Sequence, residues 1–170
     1  MRTGAFRCMA ALSILVFSAV SPLPATAGGR APRIGEPAPD FSLRTLDKRK
    51  VQLAELKGKV VVINLWATWC GPCKAEMPMM HLYYKKRHAR GLEIFGITSE
   101  GLEVRSWLKK VAGLLSYPLA NQTLSHYPVL GGVPTTYVID RKGVLRVAQS
   151  GAFTEDAFRR TIDPLLAESP

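Results

Sequence analysis

Residues 60–73 read VVVINLWATWCGPC, and they place two thiols, Cys70 and Cys73, shortly after an unbroken apolar run. A short run of β-branched and apolar residues that follows Gly58 predicts a strand buried on both faces. The Cys-Gly-Pro-Cys turn opens a longer segment with helical periodicity. The sequence therefore predicts a cysteine pair at the end of a buried strand and at the start of a helix.

The rest of the chain predicts an α/β fold around this strand. The helix after the cysteines should run from about residue 70 to 90, because Cys73, Met77, Met80 and Tyr84 recur on one stripe. Two β-α-β crossovers followed by a hairpin and a helix indicate a central mixed sheet with helices on both faces, after a short N-terminal β extension. The other predicted elements are strands near 41–43, 51–53, 92–98, 135–139 and 144–149, a helix near 104–115, and a final helix capped by Thr154.

The first 27 residues have the pattern of a secretory signal. Arg2 and Arg7 precede an apolar run from residue 9 to 20, and residues 25–27 have the small-x-small form of a signal-peptidase site. An uncleaved membrane anchor is the alternative, although this run is shorter than the roughly 20 residues that cross a bilayer. We therefore expect a signal peptide or N-terminal anchor over 1–27, an extended linker over 28–38 and one folded domain over 39–170.

Export would make the cysteine pair a redox site. Cys8 would leave with the signal, so the mature chain would carry Cys70 and Cys73 alone in a compartment where disulfides persist. A disulfide framework requires more cysteines, and a ring closed over two residues stabilises the fold little. Structural zinc needs four ligands, and the three histidines have unsuitable spacings. A lone crosslink and a zinc site are the alternatives to redox chemistry, and we expect no metal or other cofactor.

The chain is basic, with a formal net charge of +10 that becomes +8 once Arg2 and Arg7 are removed. The basic residues are spread over several predicted elements, with no aromatic interleaving and no nucleic-acid motif. This pattern indicates a solvated surface, and export argues against a nucleic-acid partner. We expect the protein to be a monomer. The alternative is attraction to acidic partners or to an anionic membrane surface.

Two motifs resemble those of the thioredoxin-fold disulfide oxidoreductases. They are Trp-Cys-Gly-Pro-Cys at 69–73 and Val-Pro-Thr at 133–135, which begins a predicted strand. Three further motifs, Ala-Pro-Asp-Phe at 38–41, Leu-Lys-Gly-Lys at 56–59 and Cys-Lys-Ala-Glu-Met-Pro at 73–78, are similar to the exported TlpA/ResA/CcmG-like branch. The resemblance covers nearly all of the mature chain from about Ile34, and it implies that the folded domain is thioredoxin-like.

The position of each cysteine predicts its role. Cys70 should sit at the helix N-terminus, where unpaired amide groups and the helix dipole favour a thiolate, so it is the predicted exposed nucleophile. Cys73 lies on the apolar stripe and is the predicted shielded, resolving thiol. Gly71 and Pro72 should hold the two sulfurs within bonding reach, and Trp69 should form part of the docking surface.

The resolving step requires a base near Cys73. Thioredoxins carry a buried aspartate six residues before the first cysteine, and here that position is Asn64, which cannot accept a proton. Glu76 follows Cys73 by one helical turn, at the edge of the buried stripe, and is the candidate proton acceptor with a pKa raised by partial burial. The resemblance to the ResA-like reductases supports this assignment, because their glutamate stands at the matching position. A solvated glutamate favoured by the helix dipole is the alternative.

The resemblance also implies a substrate-binding surface beside the cysteines. Pro134 should be a cis-proline packed against the pair, with the Val133 backbone free to pair with an extended substrate. Trp69, Gly71 and Pro72 would complete this surface.

These features together predict an exported, periplasmic thiol:disulfide oxidoreductase that reduces specific protein disulfides. By resemblance, its substrates would be apocytochrome c or copper-site assembly proteins, and its electrons would come from a membrane thiol reductase such as a DsbD or CcdA-like protein. A peroxiredoxin is one alternative, although Ala67 stands where those enzymes have a threonine three residues before the reactive cysteine. A metallochaperone that binds Cu(I) through the cysteine pair is the other.

Overall fold

The computed structural model of the chain describes residues 32–169. The predicted signal segment, Cys8 and the first residues of the predicted linker lie outside this range. Within it, none of the helices has both the length and the apolar character needed to cross a bilayer.

The strands form a small hairpin and a five-stranded sheet. In the hairpin, β1 (Ser42–Arg44) pairs antiparallel with β2 (Lys50–Gln52). In the sheet, β4 is parallel to β3 and β5, whereas β6 is antiparallel to both β3 and β7. The order across the sheet is β5-β4-β3-β6-β7, with β3 at Val60–Leu65, β4 at Leu92–Thr98, β5 at Leu119–Asn121, β6 at Thr135–Ile139 and β7 at Leu145–Ser150.

The α-helices are α1 (Gly71–Arg87), α2 (Arg105–Ala112) and α3 (Glu155–Ala167). The first ends earlier than predicted, because residues 88–90 tighten into a 3₁₀ turn that stops at Gly91 with φ of 93°. Thr154 caps α3 by accepting the Ala157 N–H, as predicted. Two further 3₁₀ helices cover Leu53–Leu56 and Leu102–Val104.

Two elements differ from the sequence prediction. The strand β5 was not predicted, because its three residues are too few to show periodicity. The second helix is shorter than predicted and ends at Ala112, so Leu115 packs against the core from a loop. The fold class itself, a thioredoxin-like mixed sheet with helices and a short N-terminal β extension, is confirmed. The sequence predicted helices on both faces, but α1, α2 and α3 all pack on one face, and within the described residues only the 3₁₀ helix Leu53–Leu56 lies on the other.

Alternate residues of β3 face two separate cores. Val60 and Val62 contact the core that the three α-helices cover, and Val61 and Ile63 face the other. The second core is closed by the N-terminal hairpin, the 3₁₀ helix Leu53–Leu56 and side chains from residues 124–130. Since all six β3 residues are buried, the sheet fixes the position of the Cys-Gly-Pro-Cys turn that follows.

Arg141 ties three elements together at the end of the sheet away from the cysteines. Its Nη1 donates to the Gly58 carbonyl at 2.6 Å, and its Nη2 donates to the Arg90 and Leu166 carbonyls at 2.8 and 2.9 Å. Gly58 precedes β3, Arg90 follows α1, and Leu166 lies in the last turn of α3. One guanidinium therefore satisfies backbone acceptors that secondary structure leaves free.

We expect Arg141→Met to lower the free energy of unfolding by about 3 kcal/mol, because it leaves these carbonyls without their charged donor. Urea denaturation followed by circular dichroism measures the change. The matched control is Lys142→Met at the exposed neighbouring position, which should cost less than about 0.5 kcal/mol. Equal effects of the two substitutions would show that Arg141 does not hold the elements together.

Candidate active site

The cysteine pair lies at the junction of β3 and α1. Cys70 is the N-cap of α1, and its Sγ accepts the Cys73 N–H at 3.1 Å. Pro72 stands in the first helical turn, where a missing N–H breaks no helical hydrogen bond. The two sulfurs are bonded to each other at 2.03 Å. The structure therefore presents the oxidised pair directly on the N-terminus of the helix.

Cys70 is not the exposed sulfur that the sequence predicted. Its exposed fraction is 3%, against 1% for Cys73. The disulfide holds Cys70 Sγ against the start of α1, and the Val133 carbonyl oxygen lies 3.6 Å from that sulfur. The exposed surface next to the pair comes from its neighbours Trp69, Gly71 and Pro72, and Trp69 is 73% exposed.

The loop before β6 contacts the cysteine pair. The Val133–Pro134 peptide bond is cis, and Pro134 is buried. Thr135 fixes the loop, since its hydroxyl donates to the Gly132 carbonyl at 2.7 Å and accepts the Leu130 N–H at 3.0 Å. Across residues 32–169, no hydrogen bond within the chain involves the Val133 N–H. This amide is therefore available to a bound segment.

Glu76 is fully buried in a hydrogen-bond network, with an exposed fraction of 3%. Its Oε1 accepts the Asn64 amide at 2.8 Å, and its Oε2 accepts the Phe153 N–H at 2.9 Å. Burial raises the pKa of Glu76, and the two hydrogen bonds offset that effect only in part. The burial is deeper than predicted, and it rules out the alternative of a solvated glutamate.

Asn64 has a role that sequence analysis missed. It lies opposite Thr136 of β6, and its Nδ2 donates to the Thr136 hydroxyl at 3.2 Å as well as to Glu76. Its Oδ1 is buried and has no partner within the described part of the chain. Asn64 therefore replaces the aspartate of thioredoxins with a donor that positions the carboxylate of Glu76. No sequence motif links these residues, because they come from different elements.

An apolar groove of about 400 Å³ opens beside the pair. Its walls include Trp69, Val133 and Tyr127, together with the carboxylate-bearing Glu100. That carboxylate accepts the Thr68 N–H at 2.6 Å, the Thr68 hydroxyl at 2.7 Å and the Thr98 hydroxyl at 3.0 Å. Partial burial alone would raise the pKa of Glu100, but these hydrogen bonds outweigh it and lower the pKa. Glu100 thus anchors the loop that carries Trp69, a contact that sequence analysis did not predict.

Comparisons with known proteins agree with this geometry. Residues 34–148 match the AhpC/TSA family. The thiol-disulfide oxidoreductase ResA of Oceanobacillus iheyensis is 38% identical over 133 residues, which cover 73% of this chain and 68% of that protein. The thioredoxin-like protein YneN of Bacillus subtilis is 35% identical, over 76% of this chain and 78% of that protein. The crystal structure of a thiol:disulfide interchange protein from Chlorobium tepidum TLS is 33% identical with a TM-score of 0.67, over 77% of this chain and 96% of that one.

The raised pKa of Glu76 predicts a pH-dependent effect of Glu76→Gln on stability. The folded state holds the carboxyl proton more tightly than the unfolded state, so the resulting stabilisation is complete below about pH 4.3. This stabilisation is lost as the pH rises through the raised pKa of Glu76. The glutamine variant has no titrating group at this position, so it loses no stability from this source. We therefore expect the stability of Glu76→Gln, measured by urea denaturation of the oxidised chain, to rise relative to wild type between about pH 4 and pH 8.

The matched control is Glu103→Gln, which replaces an exposed carboxylate. Its stability relative to wild type should stay nearly constant over the same range. A constant difference between Glu76→Gln and wild type would contradict the raised pKa.

Proposed function

This chain belongs to the AhpC/TSA family, and we propose that it is an exported thiol:disulfide oxidoreductase that reduces disulfides in other proteins. The observation that carries the proposal is the Cys70–Cys73 disulfide on the N-terminus of α1, beside the cis Val133–Pro134 bond. The relatives named as thiol-disulfide oxidoreductases support the same chemistry.

In the first step, the Cys70 thiolate of the reduced chain attacks one sulfur of a substrate disulfide. That bond breaks, a mixed disulfide forms on Cys70, and the other substrate sulfur leaves as a thiolate. The Cys73 N–H that contacts Cys70 Sγ, together with the positive end of the α1 dipole, stabilises the negative charge on the attacking sulfur.

In the second step, Cys73 loses its proton and attacks Cys70 Sγ. This forms the intramolecular disulfide and releases the second substrate thiolate, so the substrate gains two electrons and the chain loses two. Glu76 accepts the Cys73 proton. It lies one helical turn from Cys73 on the buried face of α1, and a raised pKa makes a carboxylate a better match for a thiol.

The substrate segment binds beside the cysteine pair. The free Val133 N–H supports pairing with an extended backbone, and the groove supplies apolar contact through Trp69 and Tyr127. Gly71 and Pro72 lie at the exposed start of α1, next to Cys70, and can contact the bound segment. This arrangement favours polypeptide substrates over small disulfides.

The predicted signal segment supports a periplasmic location, and the reduced state then requires a donor of electrons. We propose a membrane thiol reductase of the DsbD or CcdA-like type for this role. The proposed substrates are apocytochrome c, whose haem-binding cysteines must be reduced, or copper-site assembly proteins.

The two other candidate functions give different outcomes in simple assays. A peroxidase would turn over with hydrogen peroxide at least as fast as with a protein disulfide. A Cu(I) chaperone would retain copper on purification and would bind it through the pair alone, since residues 32–169 hold no group of three or more His, Cys, Asp or Glu side chains placed for a metal. Neither outcome is expected for a thiol:disulfide oxidoreductase.

We expect Cys73→Ser to accumulate mixed disulfides on Cys70, because the resolving thiol is gone. Non-reducing electrophoresis and mass spectrometry of the exported fraction would identify the captured proteins. The Cys70→Ser variant is the control and should capture none by this route. Absence of any captured protein with Cys73→Ser would contradict the proposed function, and capture of proteins other than cytochromes or copper-site proteins would overturn the proposed substrates.

We expect Glu76→Gln to slow resolution of the mixed disulfide about a hundredfold while slowing its formation less than about threefold. Stopped-flow mixing of the reduced chain with a disulfide peptide separates the two steps. Glutamine fits the site, because a rotated Asn64 amide can accept its Nε2 group through the unpartnered Oδ1 atom. If formation and resolution of the mixed disulfide slow equally, or if neither step slows, Glu76 is not the proton acceptor.

A further inference from the structure

A second pocket, of about 260 Å³, lies between the N-terminal hairpin, α2 and the end of β5. Four basic side chains line it, and no aspartate or glutamate does. They are Arg44, Lys48, Arg105 and Lys109. The pocket therefore concentrates positive charge from two separate elements on one concave surface.

These four cations have no carboxylate partners within residues 32–169. The neighbouring Arg49 differs, since it pairs with Asp47 at 2.8 Å. All four are exposed to solvent. Their charge is therefore available to an anionic ligand.

The basic pocket borders the apolar groove. Gln122 belongs to the walls of both. Its side-chain oxygen accepts the Arg44 backbone N–H at 2.8 Å, and its side-chain nitrogen donates to the Ser42 carbonyl at 2.9 Å. The backbone N–H of Gln122 donates to the Thr98 carbonyl at 2.8 Å. A segment that lies in the groove can therefore extend over a fixed Gln122 into the pocket.

The two cavities have opposite charge. The groove carries Glu100, whose carboxylate is held by hydrogen bonds from Thr68 and Thr98, whereas the pocket carries four cations. An acidic stretch is therefore repelled from the groove wall and attracted to the pocket. This difference gives a bound polypeptide a preferred direction.

We infer that the basic pocket binds an acidic stretch next to the disulfide of the polypeptide substrate, so that the enzyme prefers substrates with acidic flanks. The inference rests on the proposed function. A polypeptide is favoured over a lipid surface because the cations line a concavity that shares Gln122 with the groove beside the cysteine pair.

Two synthetic peptides with the same disulfide test this preference, one with Asp and Glu on one flank and the other with Asn and Gln. We expect the reduced wild-type chain to reduce the acidic peptide about tenfold faster at ~20 mM salt, and the ratio to approach one near ~1 M salt. Single-turnover rate constants measured by mass spectrometry after acid quench give the ratio.

The variant R44Q/K48Q/R105Q/K109Q should reduce the two peptides at rates within about twofold of each other. The matched control removes the same charge from exposed positions on α1 and α3, as K85Q/K86Q/R159Q/R160Q, and should keep most of the tenfold preference. If both variants lose the preference for the acidic peptide equally, the net charge of the chain determines that preference and the pocket does not. No preference in the wild type, with charge-dependent binding to anionic phospholipid vesicles instead, would make the pocket a membrane site and overturn the inference.

A separate measurement distinguishes failure of the inference from failure of the proposed function. If the wild-type chain reduces neither peptide nor the neutral 2-hydroxyethyl disulfide, the proposed function fails. Binding at the pocket is then measured by fluorescence anisotropy, with a labelled cysteine-free acidic peptide and the oxidised chain. Weaker binding to the pocket variant than to the control variant supports the pocket, and equal binding overturns it.

Discussion

The hydrogen bond from the Cys73 N–H to Cys70 Sγ is the contact on which the rest of the site depends. It makes Cys70 Sγ, which we propose as the attacking atom, also the cap of α1. The position of Cys70 Sγ is not set by the cysteine turn alone, because the turn follows β3. That strand is buried on both faces and held in register between β4 and β6. The core therefore determines where Cys70 stands, and the helix dipole determines how well that atom holds negative charge.

The buried carboxylate of Glu76 has a similar dependence on several elements. A carboxylate removed from water is costly unless donors surround it, and here the donors come from β3 and from the segment between β7 and α3. These contacts make the charged form tolerable without restoring an ordinary pKa. The same network that holds α1 against the sheet therefore also sets the environment of the carboxylate that we propose as the proton acceptor for Cys73.

The environments of two glutamates shift their pKa values in opposite directions. Burial raises the pKa of Glu76, whereas hydrogen bonds from Thr68 and Thr98 lower the pKa of Glu100. Opposite shifts of this kind separate a group that exchanges protons from one that stays charged. In this chain they distinguish Glu76, the proposed proton acceptor for Cys73, from Glu100, whose hydrogen bonds with Thr68 anchor the Trp69 loop.

The sequence by itself determined the buried strand, the helix that follows it and the cysteine pair between them, because hydrophobic periodicity and motif spacing are local properties. It also marked Glu76, which lies on the same helix as Cys73. Only the tertiary structure decided the burial of Cys70, the Asn64 and Phe153 contacts of Glu76, the short strand β5 and the basic pocket that joins the groove at Gln122. These features bring together residues far apart in the chain, and the contacts between them form only when the sheet and helices pack.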